Sequence, residues 1–138
     1  MTDTFRKPRG RCACGAVRFA FDPAAAGIQS ICHCESCRRA AGAPAVGWIT
    51  VRDSGWRWSV GRPRRRLSSP GVWWSFCGAC GTLLGYSSDR FPDQSDLTAA
   101  ALADPTEFRP RCHSHWAERV PWLVPADDLP RHDGDPSD

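Results

Sequence analysis

The sequence predicts a mainly β protein of one domain, built from short strands joined by turns. Twelve glycines and twelve prolines are spread along 138 residues rather than gathered in a linker, which disfavours long helices. Apolar residues recur with period two in short runs, Val17, Phe19 and Phe21 being the clearest. Paired cysteines, at 12 and 14 and at 77 and 80, stand beside glycines at the ends of such runs. This length fits one domain, and 41% hydrophobic residues allow a modest core that bound metal would reinforce.

Residues 1–9 are polar and read as a flexible lead-in to a domain over 10–130. Cys12-Ala13-Cys14-Gly15 is a turn, and the run to Phe21 a strand with one buried face. Ala24 to Gly27 is a small-residue bend. Gln29 to Ile31 is a short strand that delivers Cys32-His33-Cys34-Glu35-Ser36-Cys37. Ser36 to Ala41 allows one or two helical turns, stopped by Gly42 and Pro44. Val46 to Val51 and Trp56 to Val60 are strands. An arginine run, Arg64 to Arg66, leads to the turn Ser68-Ser69-Pro70-Gly71. Val72 to Phe76, Cys77-Gly78-Ala79-Cys80-Gly81 and Thr82 to Tyr86 form strand, knuckle and strand. Leu97 to Leu102 fits helix or strand. Pro110 to Trp116 and Pro121 to Leu123 read as extended, and 131–138, acidic and rich in Pro and Gly, as a disordered tail.

The formal net charge is +3, and every lysine-or-arginine position except Lys7 is arginine. That excess does not call for nucleic acid, while arginine's planar fork suits carboxylates. The sequence shows no apolar signal-peptide core and no run long enough to span a bilayer. The expectation is a cytoplasmic protein with no membrane partner. Eight cysteines in a reducing compartment read as metal ligands or reactive thiols rather than disulfides.

Cys12 and Cys14 with Cys77 and Cys80 supply four sulfurs from two turns, the donor set of a closed structural zinc site. Cys32, Cys34 and Cys37 form a second set of three. Either a further residue completes it, Cys112, His113 or His33 being candidates, or its last position is open to water or substrate. Three thiolates outweigh the charge of zinc. Arg38 and Arg39, directly after the last thiol, would supply compensating field and could hold substrate carboxylates. Cys112 stands outside the motifs and reads as a buried thiol. His113 and His115, two apart, would share a strand face, and a general acid beside the second site is one use for them.

Several segments resemble the glutathione-dependent formaldehyde-activating enzyme family, which also includes centromere protein V. The opening Gly10-x-Cys12-x-Cys14-Gly15-x-Val17-x-Phe19 is similar to its first motif, and Cys32-His33-Cys34-x-x-Cys37-Arg38-Arg39 with Gly42 to its second. Phe76-Cys77-x-x-Cys80-Gly81-Thr82-x-Leu84 resembles the third, and Asp104-Pro105, Pro110, His113, Trp122 and Asp128-Leu129-Pro130 resemble the closing segment more loosely. The resemblance implies a β-tent fold of small antiparallel sheets meeting at a structural zinc on Cys12, Cys14, Cys77 and Cys80. It implies a second, catalytic zinc on Cys32, Cys34 and Cys37, two ions per chain. The implied activity is that of a carbon–sulfur lyase, joining formaldehyde to glutathione as S-hydroxymethylglutathione, with small thiols and aldehydes as partners. The competing expectations are a non-catalytic zinc module that binds protein or nucleic acid, using Arg62 to Arg66 with Trp56, Trp58, Trp73 and Trp74, and a redox protein that exchanges the three central thiols.

Overall fold

The structure, a computed structural model, describes residues 8–136. In chain order the strands are β1 (Arg9–Arg11), β2 (Arg18–Phe21), β3 (Ala26–Cys32), β4 (Val46–Arg52), β5 (Trp56–Val60), β6 (Arg64–Ser69), β7 (Val72–Phe76), β8 (Leu83–Ser88), β9 (Gln94–Thr98) and β10 (Cys112–Ser114). The helix α1 (Glu35–Ala41) lies between β3 and β4. A three-stranded sheet has the order β1-β2-β5, and a seven-stranded sheet the order β10-β3-β4-β9-β8-β7-β6. Neighbours are antiparallel except β10 and β3, which run parallel. The fold is mainly β, as expected. No helix among the described residues is long and apolar enough to cross a membrane.

The period-two patterns become two burial faces. Phe19 and Phe21 of β2 point inward and meet Ile49, Val51, Leu84 and Leu97 of the larger sheet, forming the core between the sheets. On the other face of the larger sheet lie Val46, Trp48 and Trp74, packed with Cys32 and Cys37. The register Cys32 opposite Val46 and Ser30 opposite Trp48 puts these residues on one side, because cross-strand partners share a face. Tyr86 packs against this cluster, its ring 4.9 Å from Trp74 and 6.2 Å from Trp48.

Several segments differ from the sequence expectation. Residues 1–7 of the expected lead-in lie outside the described residues, but Arg9–Arg11 form β1. Gly10 stands opposite Phe19, and a Cβ there would come within 2.2 Å of the Phe19 ring. The missing side chain is what lets this strand lie over the aromatic ring. Gln94–Asp96, without an apolar run, belong to β9. Leu97 and Thr98 end that strand, and Ala99–Ala101 form a 3-10 turn, so the ambiguous segment divides. Pro121 to Leu123 is a turn rather than a strand, with Trp122 and Leu123 exposed.

The described part of the expected disordered tail pairs with β10 and its end. His113 donates its backbone N–H to Pro130 O, His132 returns one to His113 O, and His115 donates to Gly134 O. Backbone pairing to β10 holds this segment, and composition carries no signal for such pairing.

Candidate active site

The first cysteine group is built by two knuckles. In the first, Gly15 N–H donates to Cys12 O at 3.1 Å, and in the second Gly81 N–H donates to Cys77 O at 2.8 Å. Both glycines are left-handed, with φ of 79° and 82°, a conformation that side chains resist. Backbone amides point at the sulfurs: Val17 N–H toward Cys12 Sγ at 3.3 Å and Ala79 N–H toward Cys77 Sγ at 3.4 Å. Thr82 ties the knuckles together by accepting from Ala13 N–H at 3.0 Å.

The four sulfurs of Cys12, Cys14, Cys77 and Cys80 lie within 4.8 Å of one another. Cys14 Sγ is 3.6 Å from Cys12 Sγ and 3.8 Å from Cys77 Sγ. These separations are far beyond a disulfide bond, and all eight cysteines are free. A tetrahedral zinc with bonds of ~2.3 Å places its sulfurs ~3.8 Å apart, so the donor set fits that ion. Arg11 and Arg18 donate to Ala13 O and Gly15 O, bringing positive charge beside a site that four thiolates would make anionic.

The second group gathers three sulfurs from three local elements: Cys32 from the end of β3, Cys34 from the link, Cys37 from the first turn of α1. They too lie within 4.8 Å of one another, and among the described residues no His, Asp or Glu joins them. Cys34 is the N-cap of α1, and its sulfur accepts Cys37 N–H at 3.2 Å. The thiols of Cys32 and Cys37 hydrogen-bond to Cys34 and hold it far below the usual thiol range, at about 2. In return the Cys34 thiolate pushes Cys32 up to about 11, and Cys32 and Cys34 together push Cys37 up. Three thiolates this close repel one another, and a bound cation would offset that repulsion.

Among the described residues none of the candidates for a fourth ligand joins the three sulfurs. Cys112 is buried in β10 opposite Ser30. His33 points away from the sulfurs, with Nε2 2.7 Å from His113 Nδ1, and His113 Nε2 is 3.0 Å from both carboxylate oxygens of Asp127. Burial, with His113 and Arg119 nearby, holds His33 down at about 4, so it is neutral at pH 7. His113 and His115 do not share a face. His115 adopts a left-handed conformation with φ of 50° that ends β10 and turns its ring toward Glu118 and Asp135.

Arg38 and Arg39 lie on α1 as the sequence places them. Arg38 Nε donates to His33 O at 3.3 Å, and Arg39 pairs with Glu35 at 2.9 Å on the exposed face. Both line a surface cavity of ≈ 290 Å³ with Gly42, Pro44, Val120 and Trp122. A larger concavity, ≈ 750 Å³, lies on the three-stranded sheet among Arg9, Arg18, Trp56 and Arg57. Neither cavity is lined by a thiol, so chemistry rather than volume selects the three-cysteine site.

The family model "Glutathione-dependent formaldehyde-activating enzyme" matches residues 7–119. The chain belongs to this family. A search of curated proteins gave no match. Among solved structures, a Rhodobacter sphaeroides protein is similar in fold, with 24% identity and a TM-score of 0.57, over 72% of this chain and 93% of that one. The matched segment contains all the cysteine motifs, and the family is described as one of enzymes that activate formaldehyde with glutathione. Asp127 lies beyond it. Sequence reasoning missed Asp127, which sits in an acidic stretch with no motif, and Tyr86, visible only as a strand residue.

Proposed function

We propose that the chain makes or breaks a carbon–sulfur bond in a small thiol adduct of the S-hydroxymethylglutathione type, with Cys32, Cys34 and Cys37 as the active site. The observation that carries this is three converging thiols with no fourth protein ligand near them among the described residues, in a chain of this family. We assign the closed four-cysteine group to a structural zinc and the three-cysteine group to a catalytic one. Zinc held there supplies a Lewis acid and stabilises thiolate at neutral pH.

In the forward direction the substrate sulfur forms a bond to the aldehyde carbon, the C=O π pair moves to oxygen, and the thiol proton ends on that oxygen. The chain's residues position the partners. Cys32, Cys34 and Cys37 would hold the ion, and the buried floor of Trp48 and Trp74, with half-buried Tyr86, keeps water from one side of the thiols. We assign Arg38 and Arg39, which line the ≈ 290 Å³ cavity, to the glutathione carboxylates. A cytoplasmic setting, where glutathione is abundant and thiols stay reduced, suits this chemistry.

The test is metal analysis of the purified chain, followed by NMR of formaldehyde and glutathione with and without it. Two zinc ions and faster formation or breakdown of the adduct, lost in Cys34→Ala, are expected. No acceleration over the uncatalysed mixture, with two ions bound, would sink the enzymatic reading.

A further inference from the structure

The second cysteine group has a buried support that reaches it from the carboxy-terminal end of the chain. Asp127 accepts from His113, and His113 meets His33, the residue between Cys32 and Cys34. An ionised carboxylate can only accept, so His113 Nε2 carries the proton facing Asp127 at 3.0 Å. At the 2.7 Å contact His33 Nε2 and His113 Nδ1 share one proton. The contacts run without a break from His33 through His113 to Asp127.

Both rings are enclosed, His33 being 4% and His113 1% exposed. Trp116 covers them, its ring 4.9 Å from His33 and 5.3 Å from His113. Arg119 and Arg131 stack on Trp116 at 4.7 and 4.8 Å. Asp127 is itself fixed: Leu129 N–H donates to its Oδ1 at 3.0 Å, and Arg131 donates to its carbonyl at 3.1 Å. The backbone of His33 is held on both sides, its N–H by Ser114 O at 3.0 Å and its carbonyl by Arg38 Nε at 3.3 Å.

We propose that Asp127 and His113 are positioning residues for the Cys32/Cys34/Cys37 site, acting through His33, so that the carboxy-terminal segment sets the metal affinity of that site. The inference rests on the assignment of those thiols to a metal. With its ring, N–H and carbonyl all tied, His33 cannot turn without breaking three hydrogen bonds. The sulfurs on either side are thereby held where one ion meets both. Outer partners of this kind govern affinity although they never touch the ion.

The experiment uses the full chain with its zinc exchanged for Co²⁺. Competition with a chromophoric chelator gives the two dissociation constants, and the cobalt–thiolate bands report ligand geometry. Asp127 is partly exposed, so Asp127→Ala is a tolerable variant, and Asp127→Asn keeps the Leu129 contact and the shape without the charge. We expect one of the two equivalents to weaken about 10-fold in Asp127→Ala, with shifted bands, and less in Asp127→Asn, while the other equivalent is unchanged. If Asp127→Ala does not fold, Asp127→Asn decides. Folded variants that hold both equivalents as tightly as the parent, with the same bands, overturn the proposal. Equal weakening of both equivalents overturns it too, since that marks general destabilisation. A parent chain that takes up a single equivalent defeats the metal assignment itself, and the positioning role falls with it.

Discussion

Cys34 shows how much one residue carries. Its sulfur caps α1 and faces the space shared with Cys32 and Cys37. Cys34→Ala removes the cap, which costs about 1 kcal/mol, and leaves two sulfurs for the second ion. The chain should stay folded with one zinc and a slightly lower Tm. Elemental analysis that still finds two ions would show that the thiols do not form that site. Asp96 is a residue of the opposite kind, a half-buried carboxyl on the larger sheet that accepts from Thr50 Oγ1 at 2.5 Å. Burial raises its pKa above the ordinary 3.8. A raised acid stabilises the fold fully below the unfolded value and loses that contribution as pH rises through the folded one. Asp96→Asn should therefore raise Tm at pH 8, by the equivalent of about 1–2 kcal/mol, and the gain should shrink as pH falls. A loss of stability at pH 8 would show that the fold uses the charged form.

At the scale of elements, the two knuckles share one plan: a cysteine, a left-handed glycine, and amides aimed at sulfur. Nothing lies within 4 Å of a Cβ built on Gly81, so Gly81→Ala isolates backbone strain. It should cost about 1–2 kcal/mol in a thermal melt, and no cost would mean the turn can relax. Cys80→Ala is a different lesion. It opens the closed group, and structural zinc contributes about 10–16 kcal/mol in small peptides, so zinc loss and a cooperative drop in Tm are expected together. The edge strand β6 explains the arginine run. Arg64, Arg65 and Arg66 lie along an exposed sheet edge, with Arg65 stacked 4.5 Å over Trp73, where charge deters edge-to-edge pairing. A double Arg64→Ala, Arg65→Ala chain should show no loss of any nucleic-acid affinity. Tight, salt-steep binding abolished by this change would revive the nucleic-acid module.

Across the whole molecule, ions loaded on the two cysteine groups should differ in lability, because one group offers four thiols from distant turns and the other three local ones. A mild chelator should remove one ion first and leave the fold standing, whereas simultaneous loss with unfolding would contradict that order. Much of this was legible beforehand. Period-two alternation marked β2 and β5, short apolar runs marked β4 and β7, and cysteine spacing marked both thiol groups, because local geometry fixes where neighbours a few residues apart can point. The sequence by itself determined a mainly β chain, the two sets of thiols and the helix that carries Cys37. Only the tertiary structure decided that Gly10 and Gln94 enter sheets, that the segment from 130 to 135 pairs with β10, and that Asp127 meets His113. Those outcomes depend on backbone hydrogen bonds and close approaches between residues far apart in the chain, which leave no periodic or compositional mark on either partner.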